Sequence, residues 1–245
     1  MRKKKSEVFI PEGIEKYMTV VQEVYGDELL MAALYGSAAT GSYVTGVSDI
    51  NMLFVVQEPN VERLIDLGQR SRRITETYRI TAHILSKQEL LTSGDVFPVE
   101  YLEIADTMEL IHGTDLITSM AIDKKNLRHQ VESMIRGEIN SLRQLVIASF
   151  GRRKLFTREL RMWAGRQAAL FRALMRLTGS DSQRHDAYAA AEQLAETFEI
   201  SSKPLLDLED LREDKPVSRS IEEIIGDVLH AYITIAEIID GPTYR

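Results

Sequence analysis

The sequence predicts an α+β protein in which a mixed-sheet domain is followed by an all-α helical bundle. Strand-like and helix-like segments alternate over about the first 115 residues, which is typical of a sheet covered by helices. After this point the pattern changes to long amphipathic helices with short connections, which favours an up-and-down bundle. We therefore place one domain at residues 1–120 and a second at residues 121–245.

The first domain begins with helical spacing and continues with compact apolar strands. Apolar residues recur on one stripe over residues 11–24, and Gly26 interrupts this helix. Residues 29–34 and Ile50–Val56 are short apolar runs, which predict buried strands. The remaining predicted elements are a helix over 60–77, a strand over 78–85, a short helix capped by Ser86 and Glu89, a helix opening at Phe97 and Pro98, and a strand over 108–112.

The second domain is predicted to contain four helices and one long loop. Residues 201–219 include Pro204 and Pro216 and are the predicted loop. Ser220 and Glu223 form a capping box that opens the last helix. The predicted helices run, in order, from Asp123 or Asn126 to Gly151, from Thr157 as a cap to Gly179, over residues 186–198, and from Ser220 to Gly241.

The composition is that of an ordinary globular protein. Apolar residues make up 44% of the chain and charged residues 27%. No apolar run approaches the roughly eighteen residues of a membrane-spanning helix, and the basic N-terminus precedes no long apolar stretch. The absence of cysteine excludes disulfides and thiolate metal sites. We therefore expect a cytoplasmic protein without membrane partners.

The net charge of −7 is unevenly distributed along the chain. Residues 124–176 are strongly basic, and the segments on both sides are acidic. Arg128, Glu132 and Arg136 lie at helical spacing, which predicts a salt-bridged helix face. The alternative is a wall of arginines that faces phosphates, including those of a nucleic acid. We do not favour a nucleic-acid partner, and the sequence leaves a homo-oligomer open.

A glycine-serine pair between the first two predicted strands is the clearest functional motif. Gly36 and Ser37 follow the first apolar run, and Ser48, Asp49 and Asn51 lie at the start of the second. Glycine lets backbone N–H groups approach an anion closely, and a serine hydroxyl adds a donor. A carboxylate such as Asp49 can bind Mg²⁺, which binds phosphate oxygens in turn, and Asn51 can offer a neutral oxygen.

The loop between these two strands is rich in glycine and hydroxyl side chains. Gly41 and Gly46 interrupt it, and Ser42 adds a further hydroxyl donor. If a short helix begins near Thr40, its N-terminus would favour an anion. The two strands and their loop therefore predict a site for a phosphate chain and a metal side by side.

On Gly36, Ser37 and Asp49 the chain resembles the DNA polymerase β-like nucleotidyltransferase superfamily, in particular small bacterial and archaeal members with an appended helical bundle. The pattern of that superfamily is an apolar strand, Gly-Ser or Gly-Gly, about ten residues, and then Asp-x-Asp or Asp-x-Glu, with a third acid on a later strand. The resemblance covers about residues 15–118. It implies that Gly36, Ser37 and Ser48 bind the triphosphate of an NTP, and that the acids bind two Mg²⁺ ions for nucleotidyl transfer.

The chain departs from this pattern at two of the three acids. Asn51 stands at the second position, and Thr81 or His83 stands where the third acid is expected. A single carboxylate stabilises two Mg²⁺ ions much less than three do. We predict an NTP with Mg²⁺ as ligands, and Asp49 with Asn51 as the catalytic and metal-binding residues.

Two hypotheses on function remain open at this point. The first is nucleotidyl transfer from an NTP to an unidentified hydroxyl acceptor. The second is a catalytically degenerate relative that acts as a nucleotide sensor or a protein-interaction module. The missing acids favour the second hypothesis, whereas the intact glycine-serine loop favours nucleotide binding in both.

The other candidate residues have simpler structural interpretations. We predict that His83 is an ordinary, partly buried histidine and that Trp163 belongs to the core of the bundle. Tyr35 and Tyr43 flank the loop and could stack on a nucleobase, although Tyr35 is predicted to be core. Arg72 is predicted to lie on a helix surface. Without cysteine or an H-x-x-x-H pair, we expect no zinc site.

Overall fold

The computed structural model describes residues 12–41, 43, 48–149, 152–180 and 187–244. The chain divides into two compact units, Met1–Ile122 and Asp123–Arg245. The predictions made at residue 11, Ser42, Gly46, Gly151 and Asp186 lie outside the described residues. In the described part of the chain, no helix is long and apolar enough to cross a membrane.

Helices and strands alternate along the first unit, as the sequence predicts. Asn60 caps the third helix by accepting a hydrogen bond from the backbone N–H of Arg63 at 2.9 Å. The capping box of Ser86 and Glu89 is confirmed, with both of its hydrogen bonds present. The elements are α1 Glu12–Tyr25, β1 Leu29–Tyr35, α2 Ser37–Thr40, β2 Ile50–Val56, α3 Val61–Tyr78, β3 Ile80–Ser86, α4 Lys87–Thr92, α5 Pro98–Thr107 and β4 Glu109–Gly113.

Within the described residues, these strands form one four-stranded mixed sheet in the order β3-β2-β1-β4. β1 pairs antiparallel with both β2 and β4, whereas β2 pairs parallel with β3. The β2–β3 register places Asn51 beside Thr81 and Leu53 beside His83. The predicted α+β class with a mixed sheet is confirmed.

Both faces of the sheet are covered, which explains the unbroken apolar runs of β1 and β2. On one face, Phe54 and Leu34 pack with Ile14 of α1 and Leu67 of α3. On the other face, a second cluster joins Met31 and Leu53 to residues of α4 and α5 and to Ile117. Because side chains alternate along a strand, Asn51, Leu53 and Val55 all lie on this second face.

The second unit is helical throughout its described residues. α6 packs against α7 and α10, and α9 packs against α7, α8 and α10. The predicted core position of Trp163 is confirmed, because its side chain is fully buried and its ring lies 5.9 Å from that of Tyr232. The helices are α6 Lys124–Ser149, α7 Arg153–Thr178, α8 Ala187–Thr197, α9 Lys203–Arg212 and α10 Ile221–Asp240.

Two predictions for the second unit are wrong. Thr157 does not cap α7, which begins at Arg153 with Arg152 as its N-cap. No residue between Arg153 and Thr157 is a helix breaker, so the helix extends one turn further than the cap-like threonine suggests. The capping box of Ser220 and Glu223 is confirmed, as is the left-handed Gly179 at the end of α7.

The second wrong prediction is the long loop, because α9 lies inside residues 201–219. Pro204 falls in the first turn of α9, where a helix does not need the missing backbone N–H. Leu205, Leu208 and Leu211 recur every three residues and are all buried. Tertiary burial of this stripe therefore outweighs the loop signal of the prolines.

Candidate active site

The turn between β1 and α2 is built on the backbone of Gly36. Gly36 has φ 72° and ψ −147°, a conformation that residues other than glycine rarely adopt. Its carbonyl accepts the backbone N–H groups of Ala39 and Thr40, both at 3.1 Å. α2 therefore begins at Ser37 and ends at Thr40, so a short helix is present in this loop and starts before Thr40.

Thr107, at the end of α5, holds this turn in place. The backbone N–H of Gly36 donates to Oγ1 of Thr107 at 3.1 Å, and the hydroxyl of Thr107 donates to the carbonyl of Glu103 at 2.7 Å. The first N–H groups of a helix have no intrahelical acceptor, so those of Ser37 and Ala38 have none within α2. Sequence reasoning missed Thr107, because nothing in the pattern of α5 links it to a turn 71 residues away.

Strand pairing brings Asn51 against the same turn. Tyr35, immediately before Gly36, pairs with Asn51 across the antiparallel β1–β2 ladder. A Cβ built on Gly36 would lie 3.5 Å from Nδ2 of Asn51. Ser48 is half-buried and immediately precedes Asp49 in the chain. The structure therefore brings together Gly36 and Asn51, two of the predicted site residues.

Thr81 and His83 lie on β3, on the same sheet face as Asn51. Of the two positions at which the sequence suggested a missing third acid, Thr81 pairs directly with Asn51 and His83 pairs with Leu53. The prediction that His83 is partly buried is wrong, because it is exposed on the edge strand β3. The ring of His83 lies 6.2 Å from that of Tyr35 in an edge-to-face arrangement. Burial raises the pKa of the Tyr35 hydroxyl, and Tyr35 packs against the second core cluster.

Asp49 forms an ion pair with Arg79. Nε of Arg79 donates to Oδ1 of Asp49 at 2.8 Å, and each side chain is 50% exposed. Arg79 is the C-cap of α3 and has a left-handed backbone, with φ 55°. Its carbonyl accepts the backbone N–H of Ile50 at 2.9 Å, which fixes Arg79 at the entrance to β2.

The side chains at this site do not fit a pair of Mg²⁺ ions. The carboxylate of Asp49 is already bound by a guanidinium, and its neighbours Asn51 and Thr81 are neutral. Among the described residues, no group of three or more Asp, Glu, His or Cys side chains could hold a metal. Hard cations of this charge are normally balanced by several carboxylate or phosphate oxygens.

Several arginines of the basic segment form ion pairs within the helical unit. Glu132 accepts from Arg128 at 2.9 Å and from Arg136 at 2.8 Å, and only 8% of the Arg128 side chain is exposed. Arg136 and Arg128 hold the pKa of the Glu132 carboxyl below its ordinary value. Arg161 pairs with Asp214. The predicted salt-bridged helix face is therefore confirmed for these residues, and Arg72 pairs with Glu76 on the surface of α3 as predicted.

The mixed sheet with its turn at Gly36, followed by a helical unit, is a fold that this chain shares with a solved adenyltransferase. Comparison with solved structures finds spectinomycin adenyltransferase AAD(9) from Enterococcus faecialis, in a structure with ATP and spectinomycin. The two chains share 14% sequence identity with a TM-score of 0.52, and the match covers 92% of this chain and 98% of that one. A comparison with sequence families finds no match, and a comparison with curated proteins finds none. The resemblance to the nucleotidyltransferase superfamily is thus confirmed at the level of the fold.

Proposed function

We propose that this chain is a nucleotidyltransferase-fold protein that binds a nucleoside triphosphate beside the Gly36 turn and has strongly reduced capacity for nucleotidyl transfer. The observation that carries the proposal is the contrast between a turn shaped for phosphate and a carboxylate that is already paired with Arg79. In this proposal Gly36, Ser37 and Ser48 form the phosphate-binding part. Asp49 and Asn51 form the neighbouring edge of the site.

Support for nucleotide binding comes from the geometry of the turn and from the shared fold. The amides of Ser37 and Ala38 have no acceptors within their own helix, so phosphate oxygens can accept from them. The hydroxyl of Ser37 follows immediately and adds a donor. The adenyltransferase AAD(9), which has the same fold, was solved with ATP.

Support for weak transfer comes from the side chains beside the turn. Nucleotidyl transfer in this superfamily relies on metal ions that stabilise charge in the transition state, and loss of such stabilisation costs several kcal/mol. Asn51 and Thr81 cannot supply the missing negative charges. This chain therefore keeps residues that bind and orient a nucleotide, and lacks those that would hold two ions at the reacting phosphate.

Thermal unfolding with nucleotides tests the proposal directly. ATP or GTP at about a hundred times its Kd should raise the melting temperature by about 5 °C, because a ligand that binds only the folded state stabilises it. Each nucleotide is measured with Mg²⁺ and with EDTA, and adenosine serves as the control that lacks phosphates. If no NTP shifts the melting temperature in either buffer, nucleotide binding is contradicted.

Nucleotidyl transfer to a hydroxyl acceptor is the second candidate function. The observation in its favour is that the match to the adenyltransferase covers 92% of this chain and 98% of that enzyme. Pyrophosphate release from ATP that disappears in Asp49→Ala would establish this activity. Release no faster than in a blank without protein would leave nucleotide binding as the function.

A further inference from the structure

We propose that Arg79 takes the place of a divalent metal in this site, so that the chain binds nucleoside triphosphates without Mg²⁺. The inference rests on the proposed nucleotide binding. It adds that the nucleotide binds free of metal and that Arg79 selects this form. A metal-free triphosphate is the ligand that a guanidinium paired with Asp49 would recognise.

The position of Arg79 follows from the pairing of the two parallel strands. β2 and β3 pair from Ile50 and Ile80 onward, so the residues immediately before each strand, Asp49 and Arg79, are neighbours. The hydrogen bond from the Ile50 N–H to the carbonyl of Arg79 holds the two segments together at this point. Arg79 is therefore fixed by the backbone on the carboxylate side of the site.

The charge of the site favours a metal-free ligand. Three carboxylates would repel a triphosphate unless metal ions lay between them. Here Asp49 and Arg79 cancel each other, and Asn51 with Thr81 adds no charge. A triphosphate can thus approach without a bridging cation, whereas Mg²⁺ would meet a carboxylate whose charge a guanidinium already balances.

The guanidinium of Arg79 has further N–H donors besides the one that binds Asp49. Its hydrogen bond to Asp49 uses Nε, which is one of the five N–H donors of an arginine. A planar guanidinium can donate two parallel hydrogen bonds to a phosphate and is the side chain best suited to that geometry. Both side chains are half exposed, so a phosphate in solvent can reach them. Asp49 then acts as the group that orients Arg79.

Calorimetric titration of the full chain with ATP and with GTP, in EDTA and in Mg²⁺, tests this inference. The measured quantity is the ratio of the Kd in EDTA to the Kd in Mg²⁺. We expect a ratio of about one or below for the natural chain. In Arg79→Asn the ratio should rise to about ten or more, because Asp49 is freed for a metal and a charged phosphate donor is lost. Asparagine tolerates the left-handed backbone at this position, so the variant should fold.

Two control variants separate this role from a general effect of charge. Arg79→Lys keeps the cation and should keep metal-free binding within about tenfold of the natural chain. Arg72→Ala removes an arginine of α3 that pairs with Glu76 and should leave the ratio unchanged. A natural chain that binds about tenfold more tightly with Mg²⁺, or an Arg79→Asn ratio equal to that of the natural chain, overturns the role of Arg79 alone. No nucleotide binding by the natural chain in either buffer overturns the proposed function itself.

Discussion

The candidate site has two halves that depend on different parts of the chain. The turn half, residues 36–38, depends on the backbone. The acid half, which is Asp49 with Asn51 and Thr81, depends on side chains. The turn half would use backbone amides, and these are positioned by the conformation of Gly36 and by its hydrogen bond to Thr107. The acid half would use side-chain charge, and a single substitution is enough to remove each charge. Binding of phosphate and binding of metal can therefore be separated in one fold.

Restoring the acid half should produce the largest change. Asn51→Asp together with Thr81→Asp places two carboxylates beside each other on β2 and β3, next to Asp49. With ATP and Mg²⁺ we expect pyrophosphate release to rise by about a hundredfold or more, since metal stabilisation of a transition state is worth several kcal/mol. Thr77→Asp, an exposed change on α3, is the matched control for added charge and should give no increase. No gain in the double variant would show that the acid half lacks more than charge.

Distorting the turn half should give the next largest effect. Gly36→Ala forces a side chain into a backbone conformation that strongly favours glycine, so the amides of Ser37 and Ala38 should move. We expect the Kd for ATP to rise by about tenfold in calorimetric titration. Gly26→Ala is the matched control, because Gly26 also has positive φ, at 52°, but has open space around it and lies outside the turn. Equal nucleotide affinity in both variants would contradict a role for the Gly36 turn.

The Asp49–Arg79 pair should contribute little to stability, because half of each side chain is exposed. Arg79→Asn should change the free energy of unfolding by less than about 1 kcal/mol in urea denaturation. Arg128 provides the contrasting case, because its buried side chain pairs with Glu132, and Arg128→Ala should cost about 3 kcal/mol. A large loss for Arg79→Asn would mean that the pair has a structural role and is not open to exchange with a ligand.

Acid should weaken the ion pairs of Glu132 in the helical unit, and this is the smallest expected effect. Arg136 and Arg128 lower the pKa of Glu132 in the folded protein, so its pairs stabilise the fold at pH above the ordinary value of about 4.5. This contribution is lost as the pH falls through the lowered pKa. Glu132→Gln should therefore flatten the decline of stability below pH 5, measured by urea denaturation at several pH values. An identical decline in the variant would contradict this assignment.

The elements around the site could be predicted from the sequence because their signals are local. Continuous apolar runs indicate β1 and β2, since both faces of these strands are buried. The strand that carries Thr81 and His83 could also be predicted, but only the parallel register shows that Thr81 is the one beside Asn51. The outline of the site thus follows from strand patterns and from one glycine-serine pair.

The contacts that define the site chemically could not be predicted in the same way. Arg79 lies at the end of α3, whereas the sequence predicts it within a strand over residues 78–85. The sequence pattern also does not indicate that its long side chain is directed towards Asp49. Parallel pairing of the residues that precede β2 and β3 was the one signal that could have indicated its contact with Asp49. Thr107 reaches Gly36 only through tertiary packing, as the leucines of α9 reach their core.

A crystal structure of the chain soaked with ATP and Mn²⁺ would show whether Arg79 replaces a metal ion, because the anomalous signal of manganese counts the ions in the site. We predict a triphosphate against the amides of Ser37 and Ala38, with Arg79 still paired to Asp49 and no Mn²⁺ on that carboxylate. Two Mn²⁺ ions between Asp49 and the phosphates, with Arg79 displaced, would contradict the account.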